Sequence, residues 1–307
     1  MLRFFLKRLV AFIPVLLGIN FVVFSIMSMS GDPAVTVLGQ TSTPEAREIW
    51  REEHGLNKPF IIQYVDNIKG LVTGNLGKSY ATGHDILNEF FQRLPATFII
   101  AAGSMIVAAL IIGIPLGILS AIKQYSALDY IATFLALLLS AIPAFALGLL
   151  LVICFAVNLG IFPVTGVKDP LGYVLPIVTN GILSSAAILR MTRSSLLEVK
   201  RQDYIRTIRA KGASEWYVVV HHMLRNAMLP ILTLVGVTFG ISLGSIIVIE
   251  SVFAIPGVSS MVLNGITSLD RPTVTAVATL LAFAVCLVNL IVDILYAVCD
   301  PRLRAQY

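Results

Sequence analysis

Two glycine-bounded polar segments and a few ionisable residues are the places where this 307-residue chain could do chemistry. The first, Gly74-Asn75-Leu76-Gly77-Lys78-Ser79, ends like a phosphate-binding loop, in which backbone N–H groups cradle phosphates and a lysine reaches them. That loop needs a glycine five residues before Gly77, where Val72 stands, and a strand opening into a helix. The segment reads as a glycine turn, and no nucleotide site is expected on this chain. His221 and His222 are adjacent, so on a helix they point about 100° apart and cannot share a metal as an i, i+4 pair does. No metal or cofactor site is expected from them. Asp293, four residues after Asn289, and Glu250 are carboxylates within or beside apolar sequence. An ionised carboxylate at the bilayer centre costs about 3 kcal/mol on insertion scales. Asp293 is therefore read as lying near the inner interface, paired with an arginine beyond Asp300-Pro301. Glu250, beside Pro256 and Gly257, either lines an outer vestibule or is solvated.

The second segment is basic and runs from Arg190 to Pro230. It holds Asp203, Arg206, Arg209, Ala210, Lys211, Gly212, Glu215 and Trp216, and it is too polar for lipid. It reads as two short helices broken at Gly212, the residue best able to adopt the left-handed conformation that ends a helix. Positive charge alone would fix orientation in a membrane, but orientation does not require Trp216, Tyr217 and Val218-Val219-Val220. A short helix with an apolar face fits a cleft on a soluble partner.

The elements that must carry this segment are membrane spans. Hydrophobic residues make up 57% of the chain and charged residues 13%, against about 25% charged in soluble domains. About 20 apolar residues cross the hydrocarbon layer as a helix. Such runs occur at Leu9–Met29, Leu94–Ile122, Tyr130–Val157, Leu171–Leu189, Ala227–Ile249 and Pro272–Val292. The fold class is all-α, with six transmembrane helices; the second and third runs exceed the minimum, so they must tilt, kink at Pro115 and Pro143, or extend beyond the lipid. The first run lacks a cleavage site before Gly31-Asp32-Pro33 and reads as a retained anchor. With both termini in the cytoplasm, the inside segments hold 14 of the 22 Lys and Arg residues. The net charge of +5 is thus an orientation signal and not a sign of nucleic-acid binding.

The intervening organisation follows: an N-terminal helix (1–29), a small extracytoplasmic cap (30–93), a transmembrane domain (94–297) and a cytoplasmic tail (298–307). Within the cap, helices are expected from Thr43-Pro44-Glu45 and across Phe60–Ile68. Gly236, Gly240 and Gly244 share one face of the fifth span, and Gly113 and Gly117 one face of the second, as in closely packed lipid-embedded helices. Cys154, Cys286 and Cys299 lack metal or redox spacing and read as buried, inert thiols.

Thr192-Arg193-Ser194-Ser195, Asp203-Tyr204-Ile205-Arg206-Thr207, Arg209-Ala210-Lys211-Gly212 and Leu224-Arg225-Asn226-Ala227-Met228-Leu229-Pro230 resemble the inner-membrane permeases of bacterial ABC importers. The dipeptide, oligopeptide and nickel group is the nearest in pattern. Gly31-Asp32-Pro33, Gly55-Leu56, Gln63-Tyr64, Leu76-Gly77, Ile249-Glu250 and Pro256-Gly257 extend the likeness over almost the whole chain. Two departures from the pattern stand out: Arg206-Thr207-Ile208 occupy the Glu-Ala-Ala of the general permease loop signature, with Ile208 bulkier than the usual alanine, and Asn57 stands where the group often has aspartate. The resemblance implies a type I importer fold without enzymatic activity. It also implies a coupling helix around Gly212 that engages one of two cytoplasmic ATPase subunits, which bind the ATP and magnesium. A sister permease would complete the path as a heterodimer, and an extracytoplasmic binding protein would deliver di- or oligopeptides, nickel, a metal chelate or glutathione. A membrane-embedded enzyme would need clustered His, Asp or Glu in the spans, and a channel a filter signature; neither pattern occurs.

Overall fold

In the lipid interior no water satisfies backbone amides, so each apolar run must bond its own N–H and C=O groups as a helix. The computed structural model describes residues 2–167 and 169–299, with side chains from Arg8 onward except Asp293 and 295–299. Helix α1 (Leu2–Met29) contains Pro14 without ending there. Three short helices follow. Asp32 caps α2 (Pro33–Leu38), and Thr43 caps α3 (Pro44–Glu53) with Pro44 in its first turn, as the sequence predicts. Helix α4 (Phe60–Thr73) closes on Gly74 in the left-handed conformation.

Helix α5 (Ile86–Met105) continues through a π stretch, Ile106–Gly113, into α6 (Ile114–Ile122). Helices α7 (Ala127–Ala141) and α8 (Ala144–Leu151), the latter prolonged by the π stretch Val152–Asn158, meet at a 104° bend. Pro143 causes the bend: it offers no N–H and drives Ile142 to an extended conformation, ψ 125°. Pro115 sits in the first turn of α6, and there the helix continues. After a 3-10 turn comes α9 (Val174–Lys200), then α10 (Asp203–Ala210) and α11 (Glu215–Tyr217). The π stretch Val218–Met223 joins α11 to α12 (Leu224–Ser245), and α13 (Ile247–Val252), α14 (Val258–Thr267) and α15 (Arg271–Cys299) complete the order. Among the described residues five helical stretches are long and apolar enough to cross a membrane, and the bent α7–α8 pair is a sixth if it counts as one span. Among the described residues the only extended pairing is the Lys78–Asp85 bridge.

The chain forms two compact units. The first contains 98–255 and the described residues from Leu287 to Cys299. Helix α9 is its centre, packed by α6, α7, α8 and α12. A Cβ on Gly117 would lie 2.6 Å from Thr192 Cβ, so the glycine face lets α6 and α9 meet backbone to backbone. Gly236 does the same against Val292, and Gly240 is buried, whereas Gly244 is exposed with no neighbour within 4 Å. Cys286 is buried, but Cys154 faces outward from its π stretch, contrary to the expectation for it; the side chain of Cys299 lies outside the described residues.

The second unit contains 2–97 and 256–286. Ile86, Phe90, Val258, Met261, Ala276 and Val277 form its apolar core. Buried polar pairs join its sequence-distant parts. Asn20 Nδ2 donates to Thr279 Oγ1 (2.9 Å), tying α1 to α15. The Asp270 carboxylate accepts from Ser79 Oγ (2.5 Å), Tyr80 N (3.0 Å) and Thr273 Oγ1 (2.7 Å). The Asp270 cluster, with both carboxylate oxygens bonded, gives one register where apolar contact alone would allow several.

Candidate functional site

The basic segment is an elbow seated on its own chain. Ile205 is the buried residue of α10, and it packs with Val218, Val219, Met223, Ala227 and Ile231, with Leu196 and Val199 of α9, and with Ala121 of α6. Val218 and Val219 are therefore core residues, not part of a docking face as the sequence had implied. Their burial fixes which side of the elbow stays free. Trp216 is 66% exposed and Tyr217 47%, beside exposed Asp203, Arg206 and Lys211. The larger Ile208 packs against the same core, where the related pattern has alanine.

The turn itself is tightly bonded. Lys211 N donates to Thr207 O (3.2 Å) and Gly212 N to Arg209 O (2.9 Å), closing α10. Gly212 has φ 83°, a left-handed value that side chains with a Cβ resist. Beyond it Ser214 caps the next helix, accepting from Tyr217 N. Across the turn Arg209 forks onto Glu215, Nε to Oε2 at 3.0 Å and Nη2 to Oε1 at 2.6 Å. Asn226 Nδ2 donates to Tyr204 Oη (2.7 Å), joining two of the motifs read separately in the sequence. The second helix after Gly212 is not short: from Glu215 to Ser245 the chain is one continuous helical stretch, because nothing between Glu215 and Met228 interrupts it and Pro230 is tolerated inside. Tyr217 stacks on His221 (4.5 Å) and meets His222 edge-on (5.4 Å). The two histidines are partners of a ring, and among the described residues no group of three or more His, Cys, Asp or Glu could hold a metal.

A second constellation, which sequence reasoning missed, braces the elbow from behind. Arg193 forks onto Asp129, Nε to Oδ1 at 2.7 Å and Nη2 to Oδ2 at 2.9 Å. Ser120 Oγ also donates to this buried carboxylate, as does Tyr125 N (3.0 Å), and Lys200 Nζ reaches Ala121 O (3.3 Å). One carboxylate thus ties the end of α6 and the start of α7 to α9, from which the elbow hangs. The available signal was an acid opening one apolar run and an arginine closing another, 64 residues apart.

The remaining candidates separate. Glu250 is 0% exposed, and Ile246, Ile249, Phe253 and Ile255 near it in sequence are also buried. Its burial in α13 excludes the solvated alternative. Pro256 is exposed and Gly257 buried. Gly74–Ser79 is a turn that opens no strand, with Gly74 and Gly77 both at positive φ. Asp293 lies in α15, but its side chain and Asp300-Pro301-Arg302 are outside the described residues.

The described chain is helical, with several apolar spans and an exposed, bonded elbow between two of them. Two family models match the sequence: binding-protein-dependent transport system inner membrane component over 113–305, and the N-terminal part of such a membrane component over 1–101. The dipeptide transport system permease protein of Alkalihalophilus pseudofirmus is 38% identical, covering 99% of this chain and all of that protein. Glutathione transport system permease proteins of Pectobacterium atrosepticum and Escherichia coli K12 are 38% and 37% identical, each with 99% of both chains covered. A solved inward-facing MetNI methionine ABC transporter shares the fold, with a TM-score of 0.60 and 19% identity, over 69% of this chain and 96% of that one. This chain belongs to the family of binding-protein-dependent transport system inner membrane components. It is a multi-pass cytoplasmic-membrane permease subunit of an ABC importer, not an enzyme; ATP hydrolysis belongs to the partner ATPase.

Proposed function

We propose that this permease imports short peptides, and that the elbow at Gly212 is the coupling element through which an ATPase subunit moves the spans. The observation that carries the reading is the elbow's construction: its aliphatic residues are spent on its own core, while Trp216 and Tyr217 stay exposed above a bonded turn. Exposed aromatic anchors on a rigid support are the usual energetic centre of a protein interface. In this reading a sister permease forms a heterodimer with the chain, two ATPase subunits bind ATP and magnesium in the cytoplasm, and a binding protein docks outside. Both termini are cytoplasmic. Closure of the ATPase pair pushes the elbow, and the spans alternate the cavity between outward and inward access. Peptide cargo is favoured because the named cargoes of the relatives, dipeptide and glutathione, both carry peptide amides.

The test is Gly212→Trp in cells carrying the whole importer. Uptake of labelled glycyl-phenylalanine or glutathione is expected to fall to background while the permease still inserts. Normal uptake in the variant removes the coupling role. Uptake of neither compound by the unaltered importer, with nickel or a chelate taken up instead, removes the peptide assignment.

A further inference from the structure

The cap is not wholly in water. Helix α4 packs one face on α1: Phe60 meets Phe24 at 5.3 Å, Tyr64 meets Phe21 at 5.3 Å and Phe24 at 5.5 Å, and Tyr64 Oη donates to Leu17 O at 3.3 Å. These α1 residues lie within the membrane. The apolar part of α1 begins after Arg8, and a hydrocarbon layer of about 30 Å takes about 20 helical residues, ending near Ser28. At 1.5 Å per residue, Phe24, Phe21 and Leu17 lie about 6, 10 and 16 Å inside that boundary. The helix resting on them sits at the same depth.

A face about a quarter-turn from these rings is built for that depth. Ile61, Val65, Ile68 and Val72 recur at i, i+4, i+7 and i+11, and so form one stripe along α4. Ile61 is 72% exposed and Val72 83%, with Val65 exposed and Ile68 half-buried. Single exposed aliphatics are ordinary on a soluble surface, but a stripe in register is not. Lys69, Asp66 and Thr73 lie alongside the stripe, and Asp66 pairs with Lys58 at 3.0 Å. An apolar stripe flanked by charges, on a helix whose ring contacts lie about 6–10 Å below the boundary, has the form of a helix lying in the plane of the membrane interface.

We infer that α4 is an interfacial helix whose Ile61–Val65–Ile68–Val72 stripe is covered by the acyl chains of the leaflet at the Met29 end of α1. The occupant is lipid because α1 itself fixes the depth, and this holds whatever the cargo and whatever engages the elbow. Between the bilayer and the rest of the cap, α4 then acts as a float that sets how far 30–93 can rise from the membrane.

Nitroxide labels placed singly at Ile61→Cys, Val65→Cys, Val72→Cys and Asp66→Cys test this, in the complete importer in liposomes with the native cysteines replaced. Labels at 61, 65 and 72 are expected to collide more with dissolved oxygen than with a water-soluble nickel chelate, and the label at 66 the reverse. Higher chelate access at 61 and 65 overturns the inference in favour of a solvated cap. Shielding of both positions from both reagents overturns it in favour of cover by another subunit. Should a labelled variant fail to assemble, Ile61→Trp with bromine-labelled lipids reads the same contact: quenching is expected, and its absence overturns the proposal.

Discussion

At the scale of single residues, the elbow depends more on backbone conformation than on charge. Gly212 sits at φ 83° with no atom within 4 Å of an added Cβ, so a larger residue there meets strain and not a clash. Left-handed backbone costs a residue with a Cβ about 1–2 kcal/mol, whereas the half-exposed Arg209–Glu215 fork contributes about 1 kcal/mol or less. Glu215→Gln is therefore expected to leave most uptake in place, while Gly212→Val removes it; transport assays of the two in parallel check the ranking, and equal losses would reverse it. In the cap, the Arg51 guanidinium holds the Asp32 carboxyl below the usual carboxylate range, with the Ala34 N–H helping. Because the folded group binds its proton less readily than the unfolded one, this contact stabilises above the ordinary carboxylate pKa, near 4, and is lost as pH falls below it. Pepsin cleavage within 30–60 should rise on going from pH 4 to pH 2 in the native protein, and Asp32→Asn should remove most of that rise. The caps at Thr43 and Gly212 were legible because each is a local rule of one residue type. The forks were not, since sequence gives the charges without their partners.

At the scale of elements, the apolar runs named the helices but not their ends. Composition marks lipid, and α5, α9 and the stretch from Glu215 all extend past it into polar sequence by about two to three turns. That extension turned an expected short helix after Gly212 into the base of a long one, and it leaves the elbow rigidly attached on both sides. The Asp129–Arg193 fork then joins three of these helices through a carboxylate that is nearly inaccessible. Removing one partner of a buried pair strands the other charge and costs about 3–5 kcal/mol, whereas replacing both by apolar groups is often close to neutral. Asp129→Leu alone should accordingly lower the melting temperature of the detergent-purified importer more than Asp129→Leu combined with Arg193→Met. A double variant as unstable as the sum of its parts would show that the two residues act separately.

At the scale of the whole molecule, the class of protein was legible because hydropathy and the basic residues obey the physics of the bilayer, a solvent that spans the whole chain. The division into two units was not, since its boundaries at 97/98 and 286/287 fall inside the continuous helices α5 and α15, where composition does not change. Orientation is the global property on which the elbow's role turns. Lys and Arg are retained on the cytoplasmic side in short segments, while a long segment crosses despite its charge. The elbow and the turn at Lys123 are short and basic, and 30–93 is long and mixed. Lys211→Cys, in a background without the native cysteines, should react with a membrane-impermeant maleimide only after the cells are opened, and Glu48→Cys should react in intact cells. Both sites are exposed, so a lack of reaction reports sidedness and not burial. If Lys211→Cys labels in intact cells, the elbow faces away from any cytoplasmic ATPase and the coupling reading fails, whatever the transport assays show.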